Sequence, residues 1–179
     1  MSLVMWDLFS GLGGASQAMK DRGWRVIRID SEERFKPDIV CDLGEAIPDA
    51  QYLPKPDLIW ASPPCTEFSR EFMPWCRTGE SPSCGLVWAT YRHVWLHEPR
   101  WWVLENVVGA QRWLGRAPRH IGPFYLWGYY PPFKASVRPF KEKLSSSQAA
   151  GRAKIPYALS LALAEACERA ATFAVTEAG

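Results

Sequence analysis

An apolar run, Leu58 to Ala61, leads directly into Ser62-Pro63-Pro64-Cys65. Two prolines in succession fix the backbone and present the following thiol at the end of the run rather than in the core, so Cys65 is a candidate nucleophile. A later run, Trp101 to Leu104, ends in Glu105-Asn106-Val107. If both runs are neighbouring strands, a thiol and a carboxylic acid face one pocket, which is an arrangement for nucleophilic addition with acid assistance. Near the start, Asp7-Leu8-Phe9-Ser10-Gly11-Leu12-Gly13-Gly14 places small residues between an apolar run and a helical stretch. There backbone amides and the positive helix end can approach a charged or polar ligand group, although a tight turn without a ligand has the same composition. Asp30 and Asp42 close two further runs. An acid at the first of these positions is the usual partner of ribose hydroxyls, and the second could accept a hydrogen bond from an adenine amino group, although either acid could equally be a solvated strand end. Together they point to a nucleoside-containing cofactor.

These residues need strands that end at one edge of a sheet. Leu3–Phe9, Trp24–Ile29, Ile39–Cys41, Leu58–Ala61 and Trp101–Leu104 read as five such strands, with Phe124–Gly128 as a further one. Helical spacing covers Ala15–Arg22, stopped by Gly23, and Leu86–His97. A last helix starts at Pro156 and runs to about Phe173, with Leu159, Leu163, Ala166 and Ala170 as its apolar stripe. Glu67 to Gly85 reads as a loop rich in Ser, Pro and Gly, and Tyr130 to Gln148 as mostly irregular. Each strand delivers a polar or reactive residue at its C-terminal end, where open α/β sheets bind ligands. The expected architecture is a Rossmann-like α/β fold of three layers, αβα, in one domain spanning residues 1–179.

The chain has 179 residues, 47% apolar and 22% charged, which suits one packed domain and argues against disorder. No stretch approaches the length of a membrane span, and no signal peptide is visible, so a cytoplasmic protein is expected. The five cysteines, Cys41, Cys65, Cys76, Cys84 and Cys167, are odd in number and show no disulfide spacing. Cys76, Cys84, His93 and His97 include zinc-ligand types but match no zinc signature, and no metal is expected. The ten tryptophans are expected as core and pocket walls. Charge is uneven: residues 1–110 sum to −4, residues 111–154 to +8, and the remainder to −2. The basic segment interleaves Trp113, Phe124, Tyr125, Trp127, Tyr129, Tyr130 and Phe133, the mixture needed to hold phosphates and stack bases; a solvated face beside core aromatics reads the same way.

Asp7 to Gly14, Pro63-Pro64-Cys65 with Phe68-Ser69, and Glu105-Asn106-Val107 stand in the order found in the C5-cytosine DNA methyltransferases, and the sequence resembles that family over most of its length. Lys154-Ile155-Pro156-Tyr157-Ala158 resembles the start of the family's final motif, whose helix helps close the S-adenosylmethionine pocket. The resemblance implies that Asp7, Phe9, Gly11, Gly13 and Pro63 line the cofactor site, with Asp30 on the ribose and Asp42 on the adenine. It implies Cys65 as the nucleophile and Glu105 as the acid that activates the cytosine ring. It further implies that Pro64, Ser69 and Asn106 meet the substrate, that the loop after Cys65 closes over DNA, and that Arg70 and Arg77 contact phosphates.

The sequence departs from the family pattern in three places. The Gln-x-Arg-x-Arg element is represented only by Gln111-Arg112 and Arg119, and Arg119 is the expected contact of the cytosine O2. Thr66 stands where the family often has Gln. Between Gly128 and Lys154 lie 25 residues, where bacterial members insert a target recognition domain. Specificity is then low, or is supplied by a separate recognition subunit or by the basic segment Lys134 to Lys154. Such a compact enzyme would suit a phage or mobile-element modification, or restriction-modification, system. Three other readings stay open: a methyltransferase of exocyclic amino groups, which has an aromatic residue where Cys65 stands; the same fold acting on RNA or free nucleotides; and a non-catalytic nucleic-acid-binding regulator.

Overall fold

The computed structural model describes residues 2–46, 52–69, 81–137 and 154–176. Its strands are β1 (Val4–Leu8), β2 (Arg25–Asp30), β3 (Ile39–Val40), β4 (Leu58–Ala61), β5 (Trp101–Asn106), β6 (Arg119–Ile121) and β7 (Phe124–Tyr129). Its α-helices are α1 (Gln17–Asp21), α2 (Thr66–Ser69), α3 (Gly85–His97), α4 (Gln111–Leu114) and α5 (Tyr157–Thr176). The strands form one sheet in the order β3-β2-β1-β4-β5-β7-β6. Strands β1 to β5 pair in parallel, and β7 is inserted antiparallel between β5 and β6.

Apolar patterning explains the layers. β4 reads Leu-Ile-Trp-Ala and is buried throughout, because a parallel strand covered on both faces needs an unbroken apolar run. On one face, Met5, Leu58, Trp60, Trp101 and Val103 pack against Met19 of α1 and Leu159 and Leu163 of α5. On the other, Trp6, Leu8, Ile29 and Ile59 meet Val94 of α3, while Leu104 and Trp127 meet Val87. The three-layer Rossmann-like expectation therefore holds. Gly128 could not be another residue: its φ is +135°, and a Cβ there would lie 2.1 Å from the Trp102 carbonyl oxygen on β5.

Three expectations need adjusting. The first helix is shorter than Ala15–Arg22, because the glycine turn extends to Ser16 before helical bonding begins. β6 was not expected: it is three residues between Pro118 and Gly122, too short to show alternation. It pairs with β7 through the Gly122-Pro123 turn, where Gly122 takes φ +57°. The tryptophans are not all walls. Trp88 and Trp95 are 67% and 77% exposed, since two residues seven apart on α3 share the face turned from the sheet. The ligand-type residues of α3 do not converge either. Cys84 caps its start and His97 closes its last turn, about 20 Å away at 1.5 Å per residue; Cys76 lies outside the described residues.

His93 is wholly buried, stacked on His97 with ring centroids 5.7 Å apart, and neither of its ring nitrogens has a hydrogen-bond partner among the described residues. Burial pushes its pKa down to about 4, below the ordinary 6.5. Between those values the unfolded chain binds a proton that the folded chain refuses. The contribution of neutral His93 to stability is therefore complete above pH 6.5 and declines as the pH falls toward 4. His93→Leu should flatten the acid side of the melting-temperature profile between pH 6.5 and 4, followed by circular dichroism. Equal acid losses in both proteins would place the acid lability elsewhere.

Candidate active site

Four strand ends build the site. β1 runs into the glycine turn, where Phe9 takes φ +55°, Gly11 +47° and Gly13 +69°. A bulky residue held in the left-handed region is strained, and such strain collects at functional turns. The turn is held from below. Buried Asp7 accepts a 2.6 Å hydrogen bond from the Ser16 hydroxyl, and burial pushes the Asp7 carboxyl up to about 7. Asp30, at the end of β2, accepts the Gly11 amide on one oxygen at 2.8 Å and the Glu32 amide on the other at 2.9 Å. Arg28 donates to the carbonyls of Gly11, Phe35 and Lys36 at 2.5, 3.0 and 3.2 Å, tying the turn to the segment before β3. On the far side Gly14 packs so closely on α5's approach that a Cβ would sit 2.5 Å from the Ile155 carbonyl oxygen.

The same turn keeps capacity for a ligand. A Cβ on Gly11 would meet nothing within 4 Å, and the buried Ser10 hydroxyl has no hydrogen-bond partner among the described residues. Asp42 lies outside the end of β3, exposed, with its carboxylate accepting the Gly44 amide at 2.8 Å. Gly44 in turn approaches Leu86 of α3. Leu86 is one wall of a cavity of about 250 Å³ whose other walls include Pro63, Pro64, Phe68 and Val87. Glycine turn, Asp42 and cavity thus follow one edge of the sheet.

Cys65 stands at that edge after β4 and Glu105 near the end of the adjacent strand β5, where Ala61 pairs with Leu104. Cys65 starts α2, its carbonyl accepting the amides of Phe68 and Ser69 at 3.1 and 3.0 Å. Its thiol pKa is raised, first by burial and further by the Glu105 carboxylate, while a hydrogen bond from Ser69 opposes the rise. Burial pushes the Glu105 carboxyl up to about 7, moderated by a hydrogen bond with Ser62. A carboxylic acid that is half protonated near neutrality can give up a proton there, and its protonation removes a like charge from beside the thiolate.

The structure gives several expected residues supporting positions. Asn106 is 1% exposed; its amide donates to the Pro63 carbonyl at 3.0 Å and its oxygen accepts the Val107 amide, so it braces the Pro63-Pro64 corner. The Ser69 hydroxyl lies against Cys65. Arg119 is in line with Glu105 across the sheet, through Leu126, but two strands away, and its guanidinium stacks 4.9 Å from the Phe133 ring centroid. Arg70, Arg77 and most of the basic segment beyond Val137 lie outside the described residues. Sequence reasoning missed Ser16, Arg28 and Ser62, whose roles depend on contacts across the fold.

The strand order with its single reversed strand, and the site at the C-terminal ends of β1, β2, β4 and β5, define a Rossmann-like methyltransferase fold. Residues 3–112 match the family model for C-5 cytosine-specific DNA methylases, and the chain belongs to that family. No curated protein sequence matches it significantly. Among solved structures it is similar to the Entamoeba histolytica methyltransferase EhMeth, with 18% identity and a TM-score of 0.52 over 81% of this chain. It is also similar to an E. coli prophage-encoded protein assigned as a DNA modification methyltransferase, with 24% identity and a TM-score of 0.46 over 61% of this chain. The chain spans 58% of the first and 33% of the second.

Proposed function

We propose that this protein transfers a methyl group from S-adenosylmethionine to C5 of cytosine in DNA through a covalent adduct with Cys65. The observation that carries the reading is the placement of Cys65 and Glu105 at adjacent strand ends beside the glycine turn, with the Glu105 carboxylate helping to raise the Cys65 thiol. The residues fit the cofactor: an open glycine turn, an unpartnered Ser10 hydroxyl, the Asp30 carboxylate, and Asp42 beside Leu86 offer sites for its amino-acid, ribose and adenine parts. When bound, S-adenosylmethionine supplies an electrophilic methyl group on a sulfonium.

Cytosine C5 is too weak a nucleophile to take that methyl unaided. The Cys65 thiolate adds to C6, forming the S–C6 bond and breaking the C5=C6 double bond, while Glu105 delivers its proton to N3. The ring is then an enamine whose C5 carries nucleophilic density. Once C5 has gained the methyl, loss of the C5 proton to a base restores the double bond and expels the thiolate, and N3 returns its proton to Glu105. Because C6 is stacked within a duplex, the base must be flipped out or already single-stranded. The short interval between Gly128 and Lys154 supports a recognition subunit as the source of sequence reading. The free thiols suit a reducing compartment, and no helix among the described residues is long and apolar enough to cross a membrane.

The test is incubation with methyl-labelled S-adenosylmethionine and, separately, duplex DNA, single-stranded DNA or RNA, followed by nucleoside mass spectrometry. The expected product is labelled 5-methyl-2′-deoxycytidine. Label on N4 of cytosine or only in RNA would replace this reading with one of its alternatives.

A further inference from the structure

The corner between β4 and Cys65 contains a hydroxyl that the reaction above does not use. The Trp60 indole N–H donates to the Ser62 Oγ at 2.7 Å. Trp60 is wholly buried in the core between the sheet and α1 and α5, so this donor is fixed by packing rather than by a mobile loop. A serine hydroxyl has one proton to give and two lone pairs to accept with. With an N–H already donating to its oxygen, the hydroxyl proton is directed elsewhere. Residues 58, 60 and 62 point to the same side of β4's line, the side on which Trp101, Val103 and then Glu105 of the adjacent strand lie. Glu105 is the partner found there, hydrogen-bonded to Ser62.

We propose that Ser62 is a positioning residue for Glu105: its hydroxyl, polarised by the buried Trp60 indole, donates to the Glu105 carboxyl and fixes which oxygen and which direction that carboxyl presents to the target ring. The assignment deepens the function proposed above and rests on it for its kinetic consequence, but the hydrogen bond itself can be tested without catalysis. A donor to one carboxylate oxygen leaves the other as the site that carries the transferable proton, so the acid is oriented as well as tuned. It also stabilises the ionised form, opposing the burial that pushes Glu105 up to about 7.

The experiment is a pH titration of Glu105 in the intact protein, by ¹³C NMR with side-chain-labelled glutamate, the signal assigned by its absence in Glu105→Gln. In Ser62→Ala the titration should move to higher pH by about one pH unit, the size expected for loss of one hydrogen bond to a charged group. Ser62→Thr, which keeps the hydroxyl, should return it to the wild-type position. Should Ser62→Ala fail to fold by circular dichroism, Ser62→Cys, which loses only the strong donor, carries the same expectation. An unmoved titration in the variant without the hydroxyl, or a shifted one in Ser62→Thr, overturns the proposal. In the methyl-transfer assay, the break near pH 7 should move in Ser62→Ala with the titration while kcat falls several-fold and cofactor affinity holds. Absence of transfer by the wild type alongside a shifted titration would reject the function but keep the Ser62–Glu105 link.

Discussion

Cys65→Ala should abolish covalent trapping on DNA that contains 5-fluorocytosine and lower methyl transfer by at least about 10³-fold, while leaving S-adenosylmethionine affinity within about twofold of wild type. Fluorine at C5 cannot leave as a proton, so the adduct stalls after the methyl has been transferred, and intact mass reports protein, DNA and one methyl together. The separation of effects follows from the architecture. Cys65 caps α2 with its backbone carbonyl, which alanine also provides, and the glycine turn is held by Asp7, Ser16, Asp30 and Arg28, none of which involves the thiol. An adduct that survives the substitution would assign the nucleophile elsewhere. Lost cofactor binding in a folded variant would make the thiol a structural element of the pocket.

Glu105→Gln should have the second largest effect, a fall in kcat of about 10²- to 10⁴-fold, the range for losing a positioned general acid. Glutamine can still accept the Ser62 hydroxyl but has no acidic proton for N3. The pH profile distinguishes this role from simple disruption. In the wild type the reactive form carries a protonated Glu105, lost above about pH 7, and an ionised Cys65, scarce below its raised pKa, so the rate should rise with pH up to about 7, stay level between the two values and fall above the thiol's. The two limbs belong to a coupled pair. In Glu105→Gln the alkaline limb should vanish, leaving a low rate that rises with pH as Cys65 ionises. Persistence of a break near pH 7 would assign it to another group, with Asp7, also raised to about 7 by burial, as the first to examine.

The strand ends were legible because chemistry and periodicity coincide there. Cys65, Glu105 and the glycine turn each follow an apolar run, and the order of the runs along the chain fits a parallel sheet with little ambiguity. What the chain does not display locally was not legible. Ser62 sits in plain view between Ala61 and Pro63, yet its function depends on Trp60 below it and Glu105 on the next strand. Asp30 reads as a free acid at a strand end, whereas folding brings the Gly11 and Glu32 amides onto its two oxygens and makes it a clamp for the turn. Asn106 likewise looks like a substrate contact beside Glu105 but faces inward onto Pro63. The reach of Arg119 depended on β6, a strand too short to announce itself, and on Phe133, which holds its guanidinium.

The close approach of Gly14 to Ile155, with the Ser160 hydroxyl on the Ala15 carbonyl at 2.6 Å, has a consequence for the order of assembly. The glycine turn is encoded about 140 residues before the segment that supplies its outer wall and the Glu168 that fixes Arg22. A ribosome therefore releases β1 and its turn long before the helix that locks them exists, and closing so long a loop is slow. Ligand added during synthesis would find a finished pocket only after α5 docks, which makes its binding a reporter of chains that have reached α5 and gives shorter ones no such protection from proteolysis.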